Sequence, residues 1–128
     1  MEKQLFENEF VPYEQALELK ELGFDEPCFG WFTESYLRIG GVVENKHIQG
    51  ENELLAPTFS QAFRWFREKH NFDLHWKPMA MLGMTCYFDI EIQHPKYIWE
   101  KLPKVSGKSY PEAELACLKK LIELAKNN

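Results

Sequence analysis

The stretch TCYFDIEIQ, residues 85–93, alternates strictly between apolar and polar side chains. In an extended chain Phe88, Ile90 and Ile92 point to one side, and Asp89 points to the other. A period of two is typical of a β-strand that buries one face and exposes the other. The chain must therefore form a sheet with a core side, and other elements must cover that side.

Two segments in the first part of the chain have the spacing of amphipathic helices. The first helix is expected to begin at Pro12 and end at Gly23, because proline suits the first turn and glycine a left-handed cap. The second predicted helix spans the stretch TFSQAFRWFREKH, residues 58–70. Its apolar residues share one face of a helical wheel, whereas Arg64 and Arg67 lie opposite. This separation predicts a helix packed on a core and not an exposed stacking platform for bases. The apolar face consists of Phe59, Ala62, Phe63 and Phe66.

The last helix is expected to start at Ser109, because Ser109 and Glu112 have the S-x-x-E spacing of a capping box. Apolar residues beside its main face widen the buried arc, which implies burial against more than one element or against a second subunit. Trp65, off the apolar face of the second helix and beside Lys69, either packs against another element or is partly exposed as an anchor for a partner. The predicted partner-binding residues are Trp65, Lys69, Leu115, Leu118 and Ile122. A homodimer is one expected partnership.

The remaining segments predict two hairpins. CFGWF (28–32) and YLRIG (36–40) are rich in β-formers and flank the short polar turn 33–35. HWKPM (75–79) is expected to pair with 85–93, after a turn at 81–84. Residues 40–57 are predicted to be a long loop with a short strand at Val42-Val43, either functional or a plain surface excursion. Residues 94–108 are expected to form a basic connection.

These elements predict an α+β fold in one domain, residues 1–128. The expected order is α-β-β-α-β-β-α, with a small antiparallel sheet of about four strands and the helices on one face.

The charge distribution restricts the classes of molecule that the chain is expected to bind. The net charge of -5 argues against general affinity for nucleic-acid backbones or anionic membranes. Residues 1–57 contain 4 basic and 12 acidic side chains (-8), and residues 58–128 contain 11 basic and 8 acidic (+3). Any anion-binding surface should therefore lie in the second half. A nucleic-acid-binding alternative would use Arg64, Arg67, Lys77, Lys96, Lys101, Lys104 and Lys108.

The cysteines and the N-terminal segment predict a cytoplasmic protein. The chain has three cysteines, Cys28, Cys86 and Cys117, which are far apart in the sequence. An odd number of distant cysteines is expected of buried, reduced thiols. The N-terminal segment MEKQLFENEF is too acidic for a signal peptide, and no apolar run approaches the length of a membrane span.

The polar side chains offer little catalytic chemistry. Asp89 and Glu91 share a strand face and could hold Mg²⁺, but Gln93 stands where metal nucleases of the E-x-K type need a lysine. The spacings of His70, His75, Cys86 and His94 match no zinc motif. We expect no catalytic residues, metal or cofactor. The leading hypothesis is a non-enzymatic accessory protein that binds a protein partner, with nucleic acid as the alternative and phosphoryl chemistry at Asp89 and Glu91 as the third.

Three blocks resemble those of a family of short proteins found in phage and in prophage-bearing gut bacteria. The blocks are VPYEQALELKELGFDEPCFGWF, PTFSQAFRWFREKH and SYPEAELACLKKLIELAK, and together they span most of the chain. The family has no assigned activity and no catalytic residues to transfer. The resemblance implies a small cytoplasmic accessory protein of a mobile element.

Overall fold

The computed structural model describes residues 8–48, 52–79, 87–97, 102 and 104–127. Its elements are helices and antiparallel strands, so the α+β class is confirmed. The α-helices of the described residues are α1 (Tyr13–Glu21), α2 (Phe59–His70) and α3 (Tyr110–Lys126). The strands are β1 (Cys28–Thr33), β2 (Tyr36–Val43), β3 (Glu53–Ala56), β4 (Asp73–Met79), β5 (Tyr87–Gln93) and β6 (Lys104–Gly107). Short 3-10 helices lie at Asn45–His47 and Pro95–Tyr97.

The described strands form two sheets of three, in the orders β2-β1-β3 and β4-β5-β6. The structure therefore corrects the prediction of one sheet of about four strands, and the order of described elements becomes α-β-β-β-α-β-β-β-α. The missed strands are β3, inside the predicted 40–57 loop, and β6, inside the predicted 94–108 connection. Each has only four residues, too few to show a period, and each is held by pairing with a longer strand.

The chain divides into two compact units, Met1–Ala62 and Phe63–Asn128. The boundary falls within α2, whose first turn belongs to the first unit. Each unit contains one sheet. The prediction of a single domain over 1–128 stays a prediction.

Helix α1 begins and ends where the sequence predicts. Pro12 is its N-cap, and Gly23 follows its C-terminus with φ +101°, a left-handed value that glycine adopts without strain. The Phe24 N–H donates to the Leu19 carbonyl at 2.9 Å, and the Gly23 N–H donates to the Lys20 carbonyl at 3.0 Å. These two bonds are those of a Schellman cap, which satisfies the last carbonyls of the helix.

The predicted first hairpin is present, and its second strand is longer than expected. Thr33 and Tyr36 are paired, so the connection is the two residues Glu34 and Ser35, with φ of 50° and 72°. Positive φ at both positions is the geometry of a type I′ turn, whose twist matches that of the strands. Strand β3 pairs with the other side of β1, which leaves β2 at the edge of this sheet.

The sheet of the second unit has one polar and one apolar face, as TCYFDIEIQ predicts. The residues aligned across β4, β5 and β6 are Trp76, Ile90 and Val105 in one row and Lys77, Asp89 and Ser106 in the next. Ile90 and Ile92 are buried, and α3 packs against β5 and β6. Cys86 and the turn at 81–84 lie outside the described residues.

Helix α2 lies on a core, as predicted from TFSQAFRWFREKH. Phe59, Ala62 and Phe66 are buried, whereas Arg64 and Arg67 are exposed. The exception on the apolar face is Phe63, which is half-buried and meets the ring of Trp76 edge-on with centroids 6.2 Å apart.

Helix α3 is capped by Ser109, whose hydroxyl accepts the Glu112 N–H at 3.3 Å. The Glu112 carboxylate accepts the Lys108 N–H at 3.2 Å, one residue before the position that a standard capping box uses. The buried residues of α3 are Ala113, Cys117, Leu118, Leu121, Ile122 and Ala125.

Candidate functional site

The exposed large apolar side chains of the described residues are concentrated on the β1–β2 hairpin. Six such side chains are exposed, and four of them belong to this hairpin; the other two are Leu17 and Tyr110. The hairpin residues are Phe29 (60% exposed), Tyr36 (70%), Ile39 (49%) and Val42 (58%). Together with Trp31, we call them the hairpin surface.

Strand geometry explains why these residues meet solvent. Along β1, Cys28, Gly30 and Phe32 are buried, so the alternate residues Phe29 and Trp31 point to the opposite face. Residues paired across strands share a face, which puts Tyr36, the partner of Thr33, on the same side as Trp31. An apolar face of this kind is normally covered by another layer.

Ile39 is exposed for a different reason. Its partner on β1 is Gly30, so its side chain lies on the buried face of the sheet. Because β2 is the edge strand, the core covers Ile39 only on the side toward β1, and half of its side chain stays exposed. The hairpin surface therefore includes apolar groups on both faces of β2.

The middle of β2 has almost no side chains. A Cβ atom placed on Gly40 would lie 3.5 Å from the Trp31 ring, and one placed on Gly41 would meet nothing within 4 Å. The main chain of β2 is therefore accessible over Gly40 and Gly41, beside the indole of Trp31.

The edge of β2 has only part of the usual protection against pairing with another chain, namely a shift of its register with β1 between Ile39 and Val43. Natural edge strands are blunted by lysine or proline, by bulges or by a covering element. The eight residues YLRIGGVV include neither lysine nor proline and have Arg38 as their one charge. Within the described residues, β2 is paired only with β1.

The first unit is strongly acidic. Its described residues, 8–48 and 52–62, contain nine acidic and three basic side chains, a difference of -6. Glu34 precedes β2 and Glu44 follows it directly, so acidic side chains bracket the strand. Lys46 is 3.3 Å from the Glu44 carboxylate, in an exposed ion pair that neutralises this charge only in part. The acidic residues are Glu9, Glu14, Glu18, Glu21, Asp25, Glu26, Glu34, Glu44 and Glu53; the basic ones are Lys20, Arg38 and Lys46.

The first unit also contains a depression lined in part by Lys20, Phe24, Ile48 and Leu55. It encloses about 10 Å³, room for roughly one water molecule. Sites for metabolites enclose several hundred Å³, so the depression does not suit a small-molecule substrate.

The predicted partner-binding residues all belong to the second unit, and three of them are buried. Trp65 is only 3% exposed, and its ring meets those of Phe66 and His70 with centroids 5.1 and 4.8 Å away. This burial excludes the alternative in which Trp65 is partly exposed as an anchor for a partner. Leu118 and Ile122 are buried, Leu115 is half-buried and Lys69 is exposed. Burial within the chain thus accounts for most of the wide apolar arc of α3.

The predicted nucleic-acid-binding residues all belong to the second unit. Two of them lie opposite carboxylates in the sheet. Lys104 is directly opposite Glu91 on β5, and Lys77 is directly opposite Asp89. Arg64 and Arg67 are exposed on α2, Lys96 and Lys108 are exposed in connections, and Lys101 lies outside the described residues.

Each of the two carboxylates of β5 bonds to a side chain on a neighbouring strand. Lys77 Nζ is 3.3 Å from Glu91 Oε2, and its hydrogen bond and charge lower the pKa of Glu91. The Ser106 hydroxyl donates to Asp89 Oδ1 at 3.0 Å. Lys77 is therefore an ion-pair partner of Glu91. In the described part of the chain, histidine, cysteine and carboxylate side chains form no group of three that could hold a metal ion.

The described cysteines are poor nucleophiles. Cys28 and Cys117 are free thiols, and burial raises the pKa of each to about 12. Because the thiolate is the reactive form, both thiols are inert at neutral pH. They are buried, as predicted.

No helix among the described residues is long and apolar enough to cross a lipid bilayer. Compared with family models, with curated proteins and with solved structures, the chain gives no match in any of the three comparisons. The resemblance to phage- and prophage-associated proteins, and the cytoplasmic location, therefore stay predictions.

The hairpin surface was not predicted from the sequence, because helical periodicity does not indicate which face of a strand meets solvent. One signal was present. CFGWF is apolar at nearly every position, and a continuous apolar strand buries both of its faces in most proteins. A strand of that kind in a hairpin indicates that some other element or molecule must cover the second face.

Proposed function

We propose that this chain is a non-enzymatic accessory protein that binds a protein partner on the hairpin surface. The observation that supports the proposal most is the concentration of exposed apolar side chains on β1 and β2. Contiguous apolar groups of this kind are typical of interaction sites, and aromatic residues are enriched at interfaces. Phe29, Trp31 and Tyr36 provide three aromatic rings on one face.

The chemistry of the described residues favours binding over catalysis. Lys77 binds one oxygen of the Glu91 carboxylate, and Ser106 binds one oxygen of the Asp89 carboxylate. Both described thiols are protonated at neutral pH. A Mg²⁺ ion at these carboxylates would have to compete with the charge of Lys77.

Nucleic acid is a weaker candidate for the same surface. Stacking platforms combine exposed aromatic rings with basic residues that track phosphates. On the hairpin the rings are accompanied by Arg38, but the first unit has a net excess of carboxylates. Two of the basic residues of the second unit, Lys77 and Lys104, share their sheet face with Asp89 and Glu91. A protein partner fits the hairpin surface better than a polyanion does.

Site-specific photo-crosslinking tests this proposal. A photoreactive phenylalanine analogue replaces Phe29 on the hairpin surface, or Leu17 on α1 as the matched control, since both are exposed and belong to the first unit. In the protein's native host, irradiation should give one distinct protein adduct from position 29 that is absent from position 17. Identical adducts from both positions, or an adduct with RNA or DNA, would overturn the proposal.

A further inference from the structure

We infer that the partner supplies an extended, basic segment that pairs with β2 as an additional strand, an inference that rests on the proposed function. The segment would align along β2 and extend the sheet β2-β1-β3 by one strand. The pairing of β2 with β1 is regular from Tyr36 to Ile39 and shifts register before Val43, so regular pairing of the added strand is expected at the Tyr36–Ile39 end. Its chemistry follows from the main chain, the side chains and the charge of this edge.

The main chain of β2 favours strand addition. An edge strand presents N–H and C=O groups that a second extended chain can satisfy. The neighbour of β2 within the described residues is β1, on one side only. Gly40 and Gly41 leave the middle of this edge without side chains, so an incoming main chain can approach it closely.

The side chains of β2 define what the added strand presents. Tyr36 points to the same face as Trp31, and Ile39 points to the same face as Gly30. An added strand places its own side chains alternately on these two faces, beside Tyr36 on one and Ile39 on the other. Apolar side chains on both faces of the segment would cover the exposed parts of both residues. A bulky side chain opposite Gly40 would also fill the space beside Trp31.

Charge selects a basic segment over a second copy of the chain. Glu34 and Glu44 bracket β2, and the described first unit has nine acidic and three basic side chains. A second copy would bring an equally acidic unit to the same edge, and like charges repel. A segment with an apolar centre and lysine or arginine at its ends would place a cation near each bracketing carboxylate.

A random-peptide display library selected on the full chain provides the test, with peptides at least as long as the eight residues of β2. Enriched peptides should have apolar residues at alternate positions, a positive net charge and no central proline. Their affinity should fall with added salt. Ile39→Lys and, as a second variant, Val42→Lys should each weaken binding by about tenfold or more, whereas Leu17→Lys should not. Thermal melts identify variants that remain folded.

The outcomes separate the inference from the proposed function. Enriched peptides that are acidic or neutral, yet still lose affinity for Ile39→Lys, overturn the inference and leave the hairpin surface as the binding site. Peptides that are insensitive to both variants overturn both. Bound peptides should also slow hydrogen exchange of β2 amides, and unchanged exchange rules out strand addition. A dimer mass that Ile39→Lys reduces to a monomer would identify a second copy as the occupant instead.

Discussion

At the scale of single residues, close approaches of the main chain decide which substitutions the fold tolerates. A Cβ atom placed on Gly107 would lie 2.6 Å from the Cα atom of Ala113, at the start of α3. Main-chain atoms cannot move aside as a flexible side chain can. The contact between β6 and α3 therefore depends on glycine at position 107.

Gly107→Ala should lower the free energy of unfolding by about 1–3 kcal/mol, the usual effect of overpacking. Gly41→Ala is the matched control, because its added methyl group meets nothing within 4 Å. We expect Gly41→Ala to be neutral or slightly stabilising, through the reduced freedom of the unfolded chain. Urea denaturation of both variants checks this prediction, and equal effects would contradict it.

His70 should make stability depend on pH. Burial, and then the nearby charge of His94, lower the pKa of His70 below its ordinary value of 6.5. The unfolded chain then binds a proton more readily than the folded chain, so stability rises with pH in this range. The contribution of His70 to folding stability is complete at pH values above the pKa that His70 has in the unfolded chain. This contribution is lost as the pH falls below that value.

Between about pH 7 and pH 5, we expect the free energy of unfolding to fall less in His70→Phe than in the wild type. The substitution keeps an aromatic ring beside Trp65 and Phe66 but removes the titrating group. Chemical denaturation at a series of pH values measures the difference. A parallel dependence in both proteins would show that His70 does not contribute.

At the scale of elements, the β1–β2 hairpin forms despite unfavourable residues in its turn. Glu34 and Ser35 adopt φ of 50° and 72°, where asparagine and glycine are the usual residues. The strands therefore hold the turn in place, and Glu34 adds a hydrogen bond from its N–H to the Asn52 carbonyl at 2.9 Å.

Ser35→Gly should stabilise the protein by about 1 kcal/mol, because a non-glycine residue in the left-handed region loses about that much. Ser60→Gly is the same chemical change at an exposed position of α2. There we expect a loss of about 0.5 kcal/mol, since glycine weakens helices. Thermal melts should show shifts of opposite sign, and a destabilised Ser35→Gly would contradict the type I′ assignment.

Helix α2 offers the sharpest contrast between faces of one element. Phe66 is fully buried, so Phe66→Ala should lower stability by about 3–5 kcal/mol. Arg67 is the next residue along the chain and lies on the exposed side of α2, so Arg67→Ala should change stability by no more than about 0.5 kcal/mol. Denaturant titrations that found Phe66→Ala neutral would contradict the burial of this face.

Long elements with a clear period were predictable from the sequence, and short ones were not. The bounds of α1 followed from Pro12 and Gly23, and the faces of β5 followed from strict alternation. Strands β3 and β6 escaped prediction because pairing across the sheet, a non-local effect, defines them. The second sheet was missed for the same reason.

The candidate site was less predictable than the fold. Periodicity identified apolar residues such as Leu118 and Ile122, but it cannot distinguish a side chain buried within the chain from one awaiting a partner. Exposure of Tyr36 and Ile39 follows from the edge position of β2, which depends on how β3 pairs. Only the three-dimensional arrangement of strands reveals that edge.

At the scale of the whole molecule, charge and apolar exposure coincide. The acidic first unit bears five of the six exposed large apolar side chains of the described residues, four of them on the hairpin surface. In the proposed complex, apolar contacts would supply affinity, while the surrounding carboxylates would attract a basic partner and repel an anionic one. This combination, in a chain whose described thiols are buried and whose Asp89 and Glu91 each bond to a neighbouring strand, is the basis for proposing a binding protein.

Binding of the crosslinked partner to purified variants tests this account most directly. Calorimetry compares Ile39→Lys on the hairpin surface with Leu115→Lys on α3, where the sequence alone predicted the partner site. We expect Ile39→Lys to weaken binding by at least about tenfold, whereas Leu115→Lys leaves the affinity of the folded protein unchanged. Full affinity in Ile39→Lys together with lost affinity in Leu115→Lys would contradict the account and return the site to α3.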